Sequence, residues 1–386
     1  MKKWNVVWLG VFCLLLVVGL TVPVLGAQEV PTVTYDSVSW QNPMYPDAEP
    51  APQEKPPVRN QVIYRESLQE AAVDLRNALE SRQTSVVIGY QLPSYDKAQI
   101  REIYAMAIAH TGVPTQGDYI QWHNKTWKAD IKYWTYPTYV KVEMTWTLTY
   151  LASADQEAEL TTAVNDLLKQ LNVYNATAYE KVCAIYDYMC ANIKYDYDGL
   201  AADSALCHSA YSALIHGKAV CQGYATLFYR LALSLGLDAR LISGTGNGGA
   251  HGWNIVRLNG KYYDLDATWD ANYKQLSMPY KYFLRCDANF EDHTRDADYL
   301  TAEFQNAYPM SMTDYNPDVK PQVIPGDVDG SGVLNTDDAI YLLQYVLMPE
   351  LFPVNIPVDF SSNGAVDTDD AIYLLQHVLM PELFPL

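Results

Sequence analysis

The sequence predicts an α+β protein that ends in a small all-α module, and three patterns carry this. An apolar helical run over 225–236 precedes two strand-like segments over 249–269. Upstream, one helical stretch (67–82) lies among segments of alternating polarity (84–92 and 138–151). Near the C-terminus an acid-rich loop followed by a helix occurs twice, 32 residues apart.

The chain of 386 residues is long enough for two or three domains of about 100–200 residues each. A net charge of −19 argues against nucleic acid as a partner, since phosphate binding needs a basic face. Residues 326–386 hold eight Asp, two Glu and no Lys or Arg, so about half of the excess sits there.

Residues 1–26 read as a signal peptide. Lys2 and Lys3 form a basic start, Val6 to Leu20 an apolar run, and Val24-Leu25-Gly26 the segment a signal peptidase reads. The rival is an uncleaved anchor, because the apolar run is nearly long enough to span a bilayer. Cleavage predicts a secreted, extracellular protein, at the cell surface or in a scaffold-associated complex, without stable membrane insertion. Five cysteines would remain: Cys183, Cys190, Cys207, Cys221 and Cys286. An odd count leaves at least one free thiol. Cys183 and Cys190 are expected as buried apolar residues on one helix face.

Residues 27–60 are rich in Pro and polar residues and read as a linker. Residues 61–155 read as a small α/β region of unassigned role. Its many Tyr and Trp fit core and sheet-surface positions, with a platform for sugars or peptides as the sharper alternative. The segment 156–312 is the candidate catalytic domain. It opens with helices, one started by the capping box Thr177-Ala-Tyr-Glu180. A second linker, 313–325, leads to the terminal module, 326–386.

Cys221 stands just before the apolar helix that stops at Gly236. A thiol there gains thiolate stability from the helix dipole. Alone this is modest, since a small apolar residue would also fit. The partners come from the hairpin. Asn259-Gly260 between two strand patterns is a strong two-residue turn signal. Pairing 258 with 261 sets Trp253 opposite Asp266 and His251 opposite Thr268. His251 and Asp266 then share a face as diagonal neighbours. Asp264 shares that face one pair farther off. Thiol, imidazole and carboxylate together are the parts of a nucleophilic triad. The adjacent Cys207-His208 is a poor rival, because chain neighbours rarely face each other. His123 and His293 have no patterned partner and are expected to be structural. No Cys or His cluster has zinc-ligand spacing.

The stretches SAYSALIHGKAVCQGYA, HGWNIVRLNGKYYDLDATWD and YKYFLRCDANFEDH resemble the transglutaminase-like superfamily over about 180–295. The resemblance implies a papain-like α+β fold and a Cys221–His251–Asp266 triad with no cofactor for catalysis. Tyr211 would help hold the oxyanion beside the Cys221 amide. Gly252 departs from the Ala that often follows the family's histidine.

The terminal repeat fits a twelve-residue calcium loop. Its first copy offers Asp327, Asp329, Ser331, the Val333 carbonyl, Asn335 and Asp338, with Gly332 at the turn. The second offers Asp359, Ser361, Asn363, the Ala365 carbonyl, Asp367 and Asp370. The following helices differ only at Tyr345 against His377. Position twelve is Asp rather than Glu, and no entering helix precedes either loop. In this the module resembles a type I dockerin. That implies two structural calcium ions and a cohesin domain of a scaffold protein as partner, touched by Thr336-Asp337 and Thr368-Asp369. With Ser331, Ser361 and Asn363 at commonly acidic positions, three carboxylates remain per loop, which should weaken calcium affinity.

The combined expectation is a secreted, scaffold-docked cysteine acyl-transfer enzyme acting on amide bonds of proteins or peptides, foremost a cysteine peptidase. A crosslinking transglutaminase and a catalytically idle binding module of a cellulosome-like complex are the rivals.

Overall fold

The computed structural model describes residues 31–43, 62–318, 324–329, 333–349, 352, 354 and 356–386. The expected signal peptide, Ser331 and Gly332 lie outside the described residues. No helix among those described is long and apolar enough to cross a membrane.

The N-terminal unit comprises β1 (Thr32–Gln41), β2 (Tyr64–Arg65), α1 (Leu68–Glu80), β3 (Ser85–Leu92), α2 (Ala98–Ala107), α3 (Asp118–His123), β4 (Asn124–Thr135) and β5 (Val140–Tyr150). The strands form one sheet in the order β1-β4-β5-β3-β2. Ser67 starts α1 by accepting the Glu70 amide, which satisfies an N–H that has no acceptor within the helix. Trp127 and Trp146 fill the core between sheet and helices. Both tryptophans are therefore core side chains.

One domain boundary needs correction. The expected linker 27–60 contains β1, which pairs antiparallel with β4 from Thr32 opposite Thr135 to Gln41 opposite Thr126. Only Val38 of this edge strand is buried among the hydrophobic residues. Its apolar content is thus too thin to stand out beside a Pro-rich segment.

The central unit runs α4 (Ala154–Leu171), α5 (Ala178–Asn192), β6 (Lys194–Tyr195), α6 (Tyr197–Ala201), α7 (Ala210–Ile215), β7 (Lys218–Ala219), α8 (Cys221–Ser234), β8 (Ala239–Gly246), β9 (Gly249–Leu258), β10 (Lys261–Leu265), α9 (Ala267–Gln275), β11 (His293–Arg295) and α10 (Ala302–Ala307). Thr177 and Glu180 form a reciprocal cap on α5. Every residue of α8 from Cys221 to Leu233 is buried. The helix is packed between the sheet β10-β9-β8-β11 and the surrounding helices, and its buried Arg230 is paired with Glu157. All five described cysteines are free.

The N-terminal unit buttresses α8. Trp122 packs with Ala225 and Leu241. Arg240 on β8 donates twice to Asp118 on α3, at 2.8 Å each, and the Leu241 amide also donates to Asp118. Both side chains of this ion pair are nearly buried. Removing one partner of a buried pair strands the other charge. Asp118→Ala should therefore cost about 3–5 kcal/mol, read as a lower urea midpoint with an unchanged slope.

The terminal module has α11 (Thr336–Leu347) and α12 (Thr368–Leu379), joined by a small core of Val328, Ala339, Leu342, Val358, Ala371 and Leu374.

Candidate active site

The hairpin turn sets the site. Asn259 and Gly260 both have positive φ, 53° and 75°, the conformation that a tight turn between twisted strands needs. Leu258 lies opposite Lys261 and Asn254 opposite Leu265. The ladder then stops. Thr268 does not face His251 as the extended register implies, because Asp266 leaves the strand and caps α9. One carboxylate oxygen of Asp266 accepts the amides of Thr268 at 2.8 Å and Trp269 at 3.3 Å. The cap turns the other oxygen towards β9, where Oδ2 lies 2.8 Å from His251 Nε2. His251 and Asp266 thus meet through a helix cap rather than across a strand pair.

With Nε2 on the carboxylate, Nδ1 is the ring atom left for Cys221, whose thiol is electrostatically coupled to the imidazole. Cys221 is the first residue of α8. Its amide is among the N–H groups at the helix start that have no intrahelical acceptor, a donor of the kind an oxyanion needs. The Trp269 ring stacks 4.8 Å from the His251 ring and holds its plane.

Burial alone would lower the His251 pKa. The Asp266 carboxylate, with Cys221 adding to it, overrides burial and pushes the imidazole up to about 10. Burial would likewise raise Asp266, but the His251 imidazolium holds it well below the usual carboxylate range. The imidazolium is thus present at neutral pH, ready to pair with a thiolate and to protonate a leaving amine. Because His251 is raised and Asp266 lowered, this pair stabilises the fold fully between 3.8 and 6.5, and loses that contribution as pH rises through about 10 or falls below 3.8. Turnover should fall over the same alkaline range, as the acid is lost, while Cys221 stays reactive to iodoacetamide. Parallel pH profiles of hydrolysis and alkylation check this.

Asp264 is turned elsewhere. It accepts from Trp253 Nε1 at 2.9 Å and from Arg295 at 2.9 and 3.0 Å. The Tyr211 hydroxyl, expected beside the oxyanion, donates to Glu159 on α4 at 2.7 Å. His123 is structural as expected. Its Nε2 accepts the Ala210 amide at 3.2 Å and its Nδ1–H donates to the Tyr119 carbonyl, tying α3 to α7. Cys207 is buried, which pushes its thiol up to about 11.

His293, expected to be structural, is instead part of the site. Its Nε2 lies 3.3 Å from Asp266 Oδ2, and its ring is 5.3 Å from that of His251. It arrives on β11, which pairs with β8 at His293 opposite Gly246. A Cβ on Gly244 would stand 2.0 Å from the Thr294 carbonyl, so only glycine permits this approach. The string Ser243-Gly-Thr-Gly246 is the sequence signal for such a close strand.

In the terminal module, ligand atoms of Asp327, Asp329 and Asp338 lie within 4.8 Å of one another. Asn335 and Asp338 form the reciprocal cap of α11, and Asp367 and Asp370 that of α12. Asp338 and Asp370 also accept the amides of Asp329 and Ser361. Asp359 accepts from the Asn363 and Gly364 amides, and Asn363 accepts the Ala365 amide. Thr336-Asp337 and Thr368-Asp369 open the two helices, and Val333 is exposed.

Thiol at a helix start, imidazole and capping carboxylate define a site of the cysteine acyl-transfer type. Residues 165–267 match the family model of the transglutaminase-like superfamily. Over these residues the chain is similar to that superfamily, on a mixed α+β fold. The chain is 29% identical over 168 residues to kyphoscoliosis peptidase of Mus musculus and 28% over 167 residues to that of Homo sapiens, each alignment covering 38% of this chain. It spans about a quarter of the length of these curated relatives (25%). Among solved structures, a TGase is similar at 14% identity and a TM-score of 0.28, over 50% of this chain and 56% of that one.

Proposed function

We propose that this protein is an exported cysteine peptidase that cleaves amide bonds of proteins or peptides through a thioester on Cys221. The observation that carries the reading is His251, seated on Asp266 Oδ2 at 2.8 Å and electrostatically coupled to the Cys221 thiol. His251 holds the thiol's proton as the imidazolium, and the paired thiolate adds to the amide carbonyl. As the C–N bond breaks, the imidazolium gives its proton to the leaving amine. Water then adds to the thioester with His251 as base, releasing the acid and the thiol. The peptidase names of the curated relatives support hydrolysis over amine transfer. The test is a peptide library incubated with and without an added primary amine. Free carboxylic acids as the main product in both arms support hydrolysis. Amide products that grow with amine would make the enzyme a crosslinker, and no turnover in either arm would leave a binding module.

A second reading concerns the terminal module. The repeated loop supports calcium binding and docking to a cohesin-bearing scaffold. Three carboxylates converging within 4.8 Å suit an oxygen-ligated ion whose ligands lie about 2.4 Å away. Ile340, Leu343 and Leu347, matched by Ile372, Leu375 and Leu379, expose an apolar stripe on each helix, as a two-orientation docking surface would. Since binding energy of such an ion is folding energy, chelator should make 326–386 sensitive to protease in the full chain and leave Cys221 reactivity unchanged. Equal resistance with and without calcium would contradict this reading.

A further inference from the structure

We infer that His293 is a positioning residue of the triad, a second imidazole that donates Nε2–H to Asp266 Oδ2 and fixes the carboxylate on which His251 turns. The inference rests on the acyl-transfer reading of Cys221.

Asp266 is fully buried and accepts from four directions. Thr268 and Trp269 amides hold Oδ1, while His251 and His293 share Oδ2 at 2.8 and 3.3 Å. A carboxylate has about four lone-pair sites, so this one is saturated and cannot rotate without losing donors. Both imidazoles must present N–H to it, which makes His293 the Nε2–H tautomer. Its Nδ1 is then an acceptor, and that atom is buried without a hydrogen-bond partner. A buried acceptor left unpaired is costly, and the fold retains it. The ring is therefore kept for the bond its other nitrogen makes. Phe290 stacks on it at 3.9 Å and Trp269 lies at 4.4 Å, so its orientation is fixed from both sides.

The charge pattern agrees. The groups around His293 are His251 from β9, Asp266 from the start of α9, and Tyr282 with Asp292 from the segment before β11. Burial lowers the His293 pKa, and the neighbouring His251 lowers it further against the pull of Asp266. Two imidazoliums on one carboxylate would repel. His293 thus stays neutral while His251 carries the charge, and it contributes a dipole rather than a competing cation.

The test follows alkylation of Cys221 in the full chain by iodoacetamide from acid to alkaline pH, with the Cys221 peptide quantified by mass spectrometry. His293→Phe keeps an aromatic ring and removes the donor. It should slow alkylation about tenfold on the acid side, the worth of one charge-assisted hydrogen bond, and move the profile to higher pH. His293→Gln returns an amide N–H to the Nε2 position and should stay within about twofold of wild type. A Phe profile that superimposes on wild type overturns the inference, as does a folded Gln variant no better than Phe. Nitrogen NMR of the histidines in unmutated protein gives a check free of folding defects. Neutral Nε2–H His293 is expected, and Nδ1–H or imidazolium at neutral pH contradicts it. If wild-type Cys221 reacts only in alkali, like an ordinary thiol, the acyl-transfer reading fails and this inference falls with it. A reactive wild type with an indifferent Phe variant sinks the His293 role alone.

Discussion

Cys221→Ala is expected to abolish turnover while leaving the fold intact. The thiol supplies the electrons for the new bond to the acyl carbon, and a methyl group cannot. Cys183, Cys190, Cys207 and Cys286 are no substitutes. Burial raises the thiol pKa at each of them. Alanine is also the best helix former, so α8 should tolerate it. His251→Ala should do nearly as much damage, because the acid for the leaving amine goes with the base for the thiol. Members of such a unit are not additive, and the double variant should be no worse than Cys221→Ala. Hydrolysis of a cleaved peptide from the library, beside thermal melts of each variant, measures both.

Asp266→Asn carries the second large effect. Asn still caps α9, since its side-chain oxygen can accept the Thr268 and Trp269 amides. Its NH2 must then face His251 Nε2 and His293 Nε2, where two N–H groups already point. His251 would be driven to the tautomer with its proton on Nδ1, the atom left for Cys221. That ring can no longer accept the thiol proton, and the charge that stabilises the imidazolium is gone. In triads this change costs up to ~10⁴-fold. Asp264→Asn should leave far more activity. Its carboxylate is held by Arg295 and Trp253, and its loss should appear as lowered stability. The ratio of kcat/KM losses at 266 and 264 is the quantity to measure. An essential Asp264 with a dispensable Asp266 would overturn the assignment.

Much of this site was legible because it is local. Asn259-Gly260 fixes the hairpin register, and Cys221 precedes a largely apolar helix. The same local logic overshot at Thr268, where extending the strand pairing past Leu265 ignored that Asp266 is a good helix cap. Tyr211 had no such local signal. Closeness to Cys221 along the chain says nothing about which way a side chain on α7 points, and Glu159 claims its hydroxyl. His293 was not legible as a partner. It reaches Asp266 across 27 residues, through the short pairing of β11 with β8. Only the glycines at 244 and 246 hint at that approach. β1 was not legible either, since Val38 is its only buried hydrophobic residue and the neighbouring prolines read as a linker.

The central claim is that Cys221 carries the acyl group. Brief reaction of the full chain with p-nitrophenyl acetate, followed by mass spectrometry of peptides, addresses it directly. The account predicts one acetyl on Cys221 that neutral hydroxylamine removes, as a thioester requires, and that fails to form in His251→Ala. An adduct on Cys207 instead, or equal acetylation of Cys221 in the His251 variant, would contradict it.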